Sequence, residues 1–119
     1  MKTHKDLEVW KRAVDLVAEI YIKTEKFSKD ELYGLTNQIR RAAVSIPSNI
    51  AEGAGRETNS EYLRFLYIAR GSLMEVDTQW IIAQRIGLMG ENEYRELINI
   101  LNEVGRLLNG LINYRKGRD

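Results

Sequence analysis

The chain has 119 residues, 44% of them hydrophobic and 29% charged, and 18 basic against 17 acidic side chains leave a net charge of +1. Such a chain is one globular domain, residues 1–119, and neither a disordered segment nor a uniformly basic nucleic-acid binder, although a local basic patch stays open. It has no cysteine, no apolar run near the ~20 residues of a membrane span and no apolar signal core after Lys2, His4 and Lys5, so the expectation is a soluble cytoplasmic protein without disulfides, thiolate metal sites or a membrane partner.

The first helix is expected over about residues 6–25. Leu7, Trp10, Val14, Val17 and Tyr21 repeat at three-four spacing, with Val9, Ala13, Leu16 and Ile20 as a second stripe beside them. Glu8 to Arg12 and Glu19 to Lys23 are i, i+4 pairs on the wet face, each worth roughly 0.2–0.5 kcal/mol. The second helix is expected from Ser28, where Ser28 and Glu31 fit a capping box, with Leu32, Leu35, Ile39, Ala42, Ile46 and Ile50 facing the core. Pro47, the only proline, predicts a kink, and Gly53 and Gly55 predict the stop.

Thr58 and Glu61 form a second capping-box pattern at the start of the third helix. Tyr62, Phe65 or Leu66, Ala69, Leu73, Val76, Trp80 and Ala83 keep its period to about Ile86, before Gly87. The fourth begins near Asn92 with Tyr94, Leu97, Leu101, Val104, Leu108 and Leu111 as its seam, and the tail from Arg115 to Asp119 is expected to fray. With no two-residue alternation and short connections, the fold class is all-α: an antiparallel up-down-up-down four-helix bundle.

The apolar surface exceeds what one bundle buries. Ile98, Ile100, Leu107, Ile112 and Tyr114 flank the fourth seam, and Tyr67, Met74 and Ile81 recur at sevens on the third helix. A homo-oligomer is the preferred reading, with full burial inside a small bundle as the other. Gly71, Gly105 and Gly110 each cost roughly 1 kcal/mol inside a helix, which predicts close backbone approach within or between subunits, or else a locally flexible or exposed helix.

Catalytic constellations are absent. A single histidine, His4, gives no triad and no histidine metal cluster; Glu-x-x-His does not occur, and Gly53-Ala54-Gly55-Arg56 is no phosphate loop. Glu52, Glu75 and Asp77 lack nucleophile or cofactor partners, so the chain reads as non-enzymatic, with no cofactor.

Gln38, Arg41, Ser45, Asn49 and Glu52 line one face of the second helix, where Ser72 and Glu75 of the third can meet them. Two readings stand: a groove in which Arg40 and Arg41 face phosphate or carboxylate, or a network of Arg41 with Glu75 or Glu52 that fixes register at an interface. Arg40, Arg41, Arg56, Arg64 and Arg70 are the candidate contacts for RNA, DNA or a nucleic-acid-processing protein.

The stretch Glu31-Leu32-Tyr33-Gly34-Leu35-Thr36, then Gln38-Ile39-Arg40-Arg41-Ala42-Ala43 and Ser45-Ile46-Pro47-Ser48-Asn49-Ile50-Ala51-Glu52-Gly53, is a motif. With Ala69-Arg70-Gly71-Ser72-Leu73-Met74-Glu75 downstream and Leu7-x-Val9-Trp10 upstream, it closely resembles the bacterial S23-type four-helix bundle proteins. These are named for open reading frames in intervening sequences of large-subunit ribosomal RNA genes. Ser28 stands where that resemblance leads one to expect proline. The resemblance implies a homopentamer of antiparallel bundles around an axial pore, with no defined biochemical activity. It also implies kinship with the accessory proteins of diversity-generating retroelements, pentamers that bind nucleic acid and a reverse transcriptase through basic surfaces.

Overall fold

A computed structural model describes residues 2–118, apart from the side chain of residue 33. Its four long helices are α1 (Glu8–Thr24), α2 (Asn37–Ala54), α3 (Asn59–Arg85) and α4 (Glu91–Lys116), and the described residues contain no strand. Each helix packs on its neighbours in the cyclic order α1–α2–α3–α4, and α1 and α3 lie on diagonal corners. Contacts run in opposite chain directions, as antiparallel neighbours require: Ser45 with Ser72 and Gly53 against Tyr62, Arg70 with Asn109 and Trp80 with Tyr94, Arg12 with Glu103 and Lys23 with Glu96.

The core of α1 is Val9, Ala13, Leu16 and Ile20, the stripe the sequence placed second. Leu7, Trp10 and Val17 flank it, while Val14 and Tyr21 face outward. Ahead of α1, Thr3 and Asp6 cap a short turn over His4–Asp6: Thr3 N donates to Asp6 Oδ2 at 2.8 Å, and Lys5 N to Thr3 Oγ1 at 3.2 Å.

The second helix departs most from expectation. Ser28 Oγ accepts from Asp30 N rather than closing a box with Glu31, and caps only a 3-10 turn, Lys29–Glu31. A wide π-type turn, Leu32–Thr36, follows; Gly34 (φ −106°, ψ −112°) leaves the helical path there, and regular helix begins only at Asn37. Leu32, expected in the core, is consequently exposed. The helical run continues through Pro47, which lies buried inside α2, and the departure from helical backbone in this segment is at Gly34.

Gly53 is not the stop. It is buried inside α2, and a Cβ there would lie 3.0 Å from Phe65 Cβ and 3.1 Å from Tyr62 O, so a side chain at this position would have to push α3 back by a few tenths of an ångström; Gly55 ends the helix. A Cβ at Gly105 would lie 3.4 Å from Leu73 Cδ2, but one at Gly71 or Gly110 would meet nothing within 4 Å, so the expected close approach at those two does not occur within this chain.

Thr58 Oγ1 accepts from Glu61 N at 3.1 Å to start α3. Leu66 takes the core position that Phe65 contested, and fully buried Trp80 stacks beside Phe27 and donates from Nε1 to Tyr94 O at 3.3 Å. On α4, Ile112 is core rather than surplus, whereas Leu111 is only half-buried. The tail is ordered through Arg118: α4 runs to Lys116, and Asn59 Nδ2 donates to Arg115 O and Arg118 O at 2.7 and 2.6 Å. Residue 119 lies outside the described residues.

Candidate nucleic-acid and partner interface

The polar face of α2 meets α3 as its spacing implied, through different bonds. Ser45 Oγ and Ser72 Oγ share a hydrogen bond of 2.7 Å, and Asn49 Nδ2 donates to Ser45 O and Oγ at 2.8 and 2.9 Å. The expected pairing of Arg41 with Glu75 or Glu52 does not form: Glu52 takes Arg56 at 2.6 Å, and neither Arg41 nor Glu75 has an ion pair among the described residues. Arg41 and Glu75 instead share the walls of an open groove of about 310 Å³ with Gln38, Ser45, Ser72 and Gln79. Gln79 Oε1 is buried there without a partner.

The five candidate arginines divide by use. Arg40 is a structural clamp: Nε donates to Thr24 Oγ1 at 2.9 Å, the guanidinium lies 4.7 Å over the Tyr21 ring, and Glu25 approaches to 3.8 Å. Thr24 in turn donates to Ile20 O at 2.7 Å, so Arg40 satisfies a buried hydroxyl that locks the end of α1 onto α2. Arg70 bridges to α4 through Asn109 Oδ1 at 3.2 Å. Arg64 reaches Glu61 at 3.7 Å and remains well exposed, and Arg41 is the unpaired member.

Arg56 belongs to a cluster that the sequence did not reveal. Arg56, Arg115 and Arg118 line one hollow at the end of the bundle where α2 finishes, α3 begins and α4 ends. Arg64, Lys116 and Arg118 line a wider adjoining groove of about 640 Å³, floored by Leu63, Tyr67 and Ile68. Arg115 and Arg118 escaped notice because the tail was expected to fray; the bond that orders them, from Asn59, spans more than fifty residues and has no local signature.

A second feature is apolar. Val14, Tyr21 and Ile22 stand outward on α1, and Tyr67, Met74 and Ile81 outward on α3, on the diagonal corner. The described residues include no group of His, Asp or Glu side chains arranged to hold a metal, and no helix long and apolar enough to cross a membrane.

Over residues 5–110 the sequence matches the family described as 23S rRNA-intervening sequence protein. The chain belongs to that family. Among solved structures, one resembling this intervening-sequence protein is a protein of unknown function from the S23 ribosomal protein family of Bacteroides thetaiotaomicron. The two share a TM-score of 0.81 and 20% identity, over 88% of this chain and 95% of that one, a likeness of fold. No curated protein matches the sequence.

Proposed function

We propose that this intervening-sequence protein is a non-enzymatic, cytoplasmic scaffold that closes into a homo-oligomeric ring and serves as an accessory factor to nucleic acid or a nucleoprotein. The observation that carries the ring is the pair of unlike apolar stripes, Val14, Tyr21 and Ile22 on α1 and Tyr67, Met74 and Ile81 on α3, exposed on opposite corners of one bundle. An isologous dimer covers one patch with its own copy. Two different patches facing away from each other favour head-to-tail contact, which closes into a ring when the rotation permits. The stripes also overlap in height: α4 meets Arg12 through Glu103 and Arg70 through Asn109, which puts Val14 and Met74 within about one helical turn of each other. The number five comes from the family resemblance.

A second reading, a ring that contacts only proteins, is favoured by the net charge of +1 and by the internal use of Arg40 and Arg70. Native mass spectrometry with and without a structured RNA separates the two. A pentamer that carries RNA into the gas phase supports the first reading, a bare pentamer the second, and a monomer at tens of micromolar overturns the ring.

A further inference from the structure

At the open end of the bundle, Asn59 fixes the last turn of α4 against the first turn of α3, which sets Arg115 and Arg118 beside Arg56 around one hollow of about 230 Å³. All three guanidiniums rest on rings: Arg56 is 4.6 Å over Phe65, Arg115 4.3 Å over Tyr62 and Arg118 4.0 Å over Tyr114. A guanidinium held by its face keeps its edge N–H groups free to donate, and the ring limits the rotamer freedom that binding otherwise removes.

Acidic neutralisation is incomplete among the described residues, which do not include residue 119. Glu52 pairs with Arg56 and Glu57 lines the hollow, but Arg115 and Arg118 have no ion pair among the described residues. A compact anion with several acceptor oxygens meets these needs together, and phosphate is the group whose geometry suits paired guanidinium edges. The cations do not stop at one ion's reach. Arg64 and Lys116 carry the charge along the adjoining groove, which shares Asn59 and Arg118 with the hollow. That continuation favours a chain of phosphates over a single free one.

We propose that this end of the bundle is the nucleic-acid contact, with Arg56, Arg115 and Arg118 holding backbone phosphates of the strand. It rests on the nucleic-acid reading above and relocates the contact from Arg40 and Arg70 to the bundle's end. Side-to-side packing through α1 and α3 covers Tyr67 at one edge of the adjoining groove but none of the residues that line the hollow, and it repeats the hollow once per subunit around one rim, so a strand meets several copies and gains by avidity.

The test is fluorescence anisotropy of a labelled single-stranded RNA with the full-length protein at low and moderate salt. Wild type is compared with the Arg56→Ala/Arg118→Ala variant and with Arg85→Ala at the opposite end, circular dichroism melts confirming the fold of each. The double variant is expected to lose about tenfold or more in affinity and to show a shallower salt dependence, with Arg85→Ala within about twofold of wild type. Equal RNA binding by wild type and the double variant overturns this site while leaving the nucleic-acid reading intact. No RNA binding by wild type at low salt overturns both. Millimolar inorganic phosphate supplies the remaining arm: if it raises the wild-type melting temperature but not the double variant's, and RNA does not bind, the hollow takes free phosphate and the strand assignment fails.

Discussion

The α1–α4 seam and the α2–α3 seam of the same bundle are held by opposite means. Between α1 and α4, Arg12 meets Glu103 at 2.6 Å, Lys23 meets Glu96 at 2.6 Å and Lys26, just past α1, meets Glu93 at 3.5 Å. Donating to Glu103, then to Asp15, holds the Arg12 guanidinium further in its charged form, and the hydrogen bond that Lys23 donates holds the Glu96 carboxyl below the ordinary carboxylate range. Between α2 and α3 there is no ion pair among the described residues; small residues, Gly53, Ser45 and Ser72 among them, bring the backbones together. The difference teaches where the molecule is finished. The α1–α4 seam satisfies its own charges, whereas the α2–α3 side leaves Arg41 and Glu75 unpaired beside exposed Val44 and Met74. In the ring proposed above, that side carries the α3 half of the contact between copies.

The contrast is sharpened first by disturbing the close-packed seam. Gly53→Val forces a side chain into the 3.0 Å gap to Phe65 and should cost about 1–3 kcal/mol in chemical denaturation. Ser72→Ala leaves the half-buried Ser45 hydroxyl without that partner and should cost about 0.5–1.5 kcal/mol by the same measurement. On the charged seam, Glu103→Gln removes a partly exposed pair and should cost at most about 1 kcal/mol, less at high salt. If Glu103→Gln proves as costly as Gly53→Val, the distinction between the seams is wrong.

The smallest effect is a pH dependence. Because Lys23 lowers the folded-state pKa of Glu96, their interaction stabilises the protein above the unfolded carboxylate pKa and is lost as pH falls through the lowered folded value. Urea melts of wild type and Glu96→Gln should therefore differ slightly at neutral pH and converge in acid. A difference that persists or grows in acid contradicts that sign.

Much of the fold was legible because helical period and packing agree at Ile39, Ala42, Ile46, Ile50, Leu66, Leu73 and Trp80, all buried. The inner face of α1 was not, since both of its stripes are apolar and only the positions of α2 and α4 choose between them. Nor was Gly53, because a glycine that stops a helix and a glycine that admits a neighbour look alike in one dimension. Gly34 broke the helix where the period of Leu32, Leu35 and Ile39 ran on smoothly. At the candidate sites, spacing grouped Ser45 and Asn49 on one face of α2, while the bond from Ser45 to Ser72 depends on how α3 lies against it. The pinning of Arg115 and Arg118 by Asn59 is a tertiary contact that no local pattern announces.

The absence of cysteine from the natural chain makes a direct test of the head-to-tail contact simple. In a chain carrying both Val14→Cys and Met74→Cys, the two thiols lie on diagonal corners of one bundle, so any disulfide joins separate copies. Oxidation of the dilute protein, read on a denaturing gel, should give a ladder of covalent oligomers up to the full ring, and Met74→Cys alone should stay monomeric. A product that stops at dimers, formed equally well by Met74→Cys alone, would show α3 meeting α3 across a two-fold axis and contradict the ring.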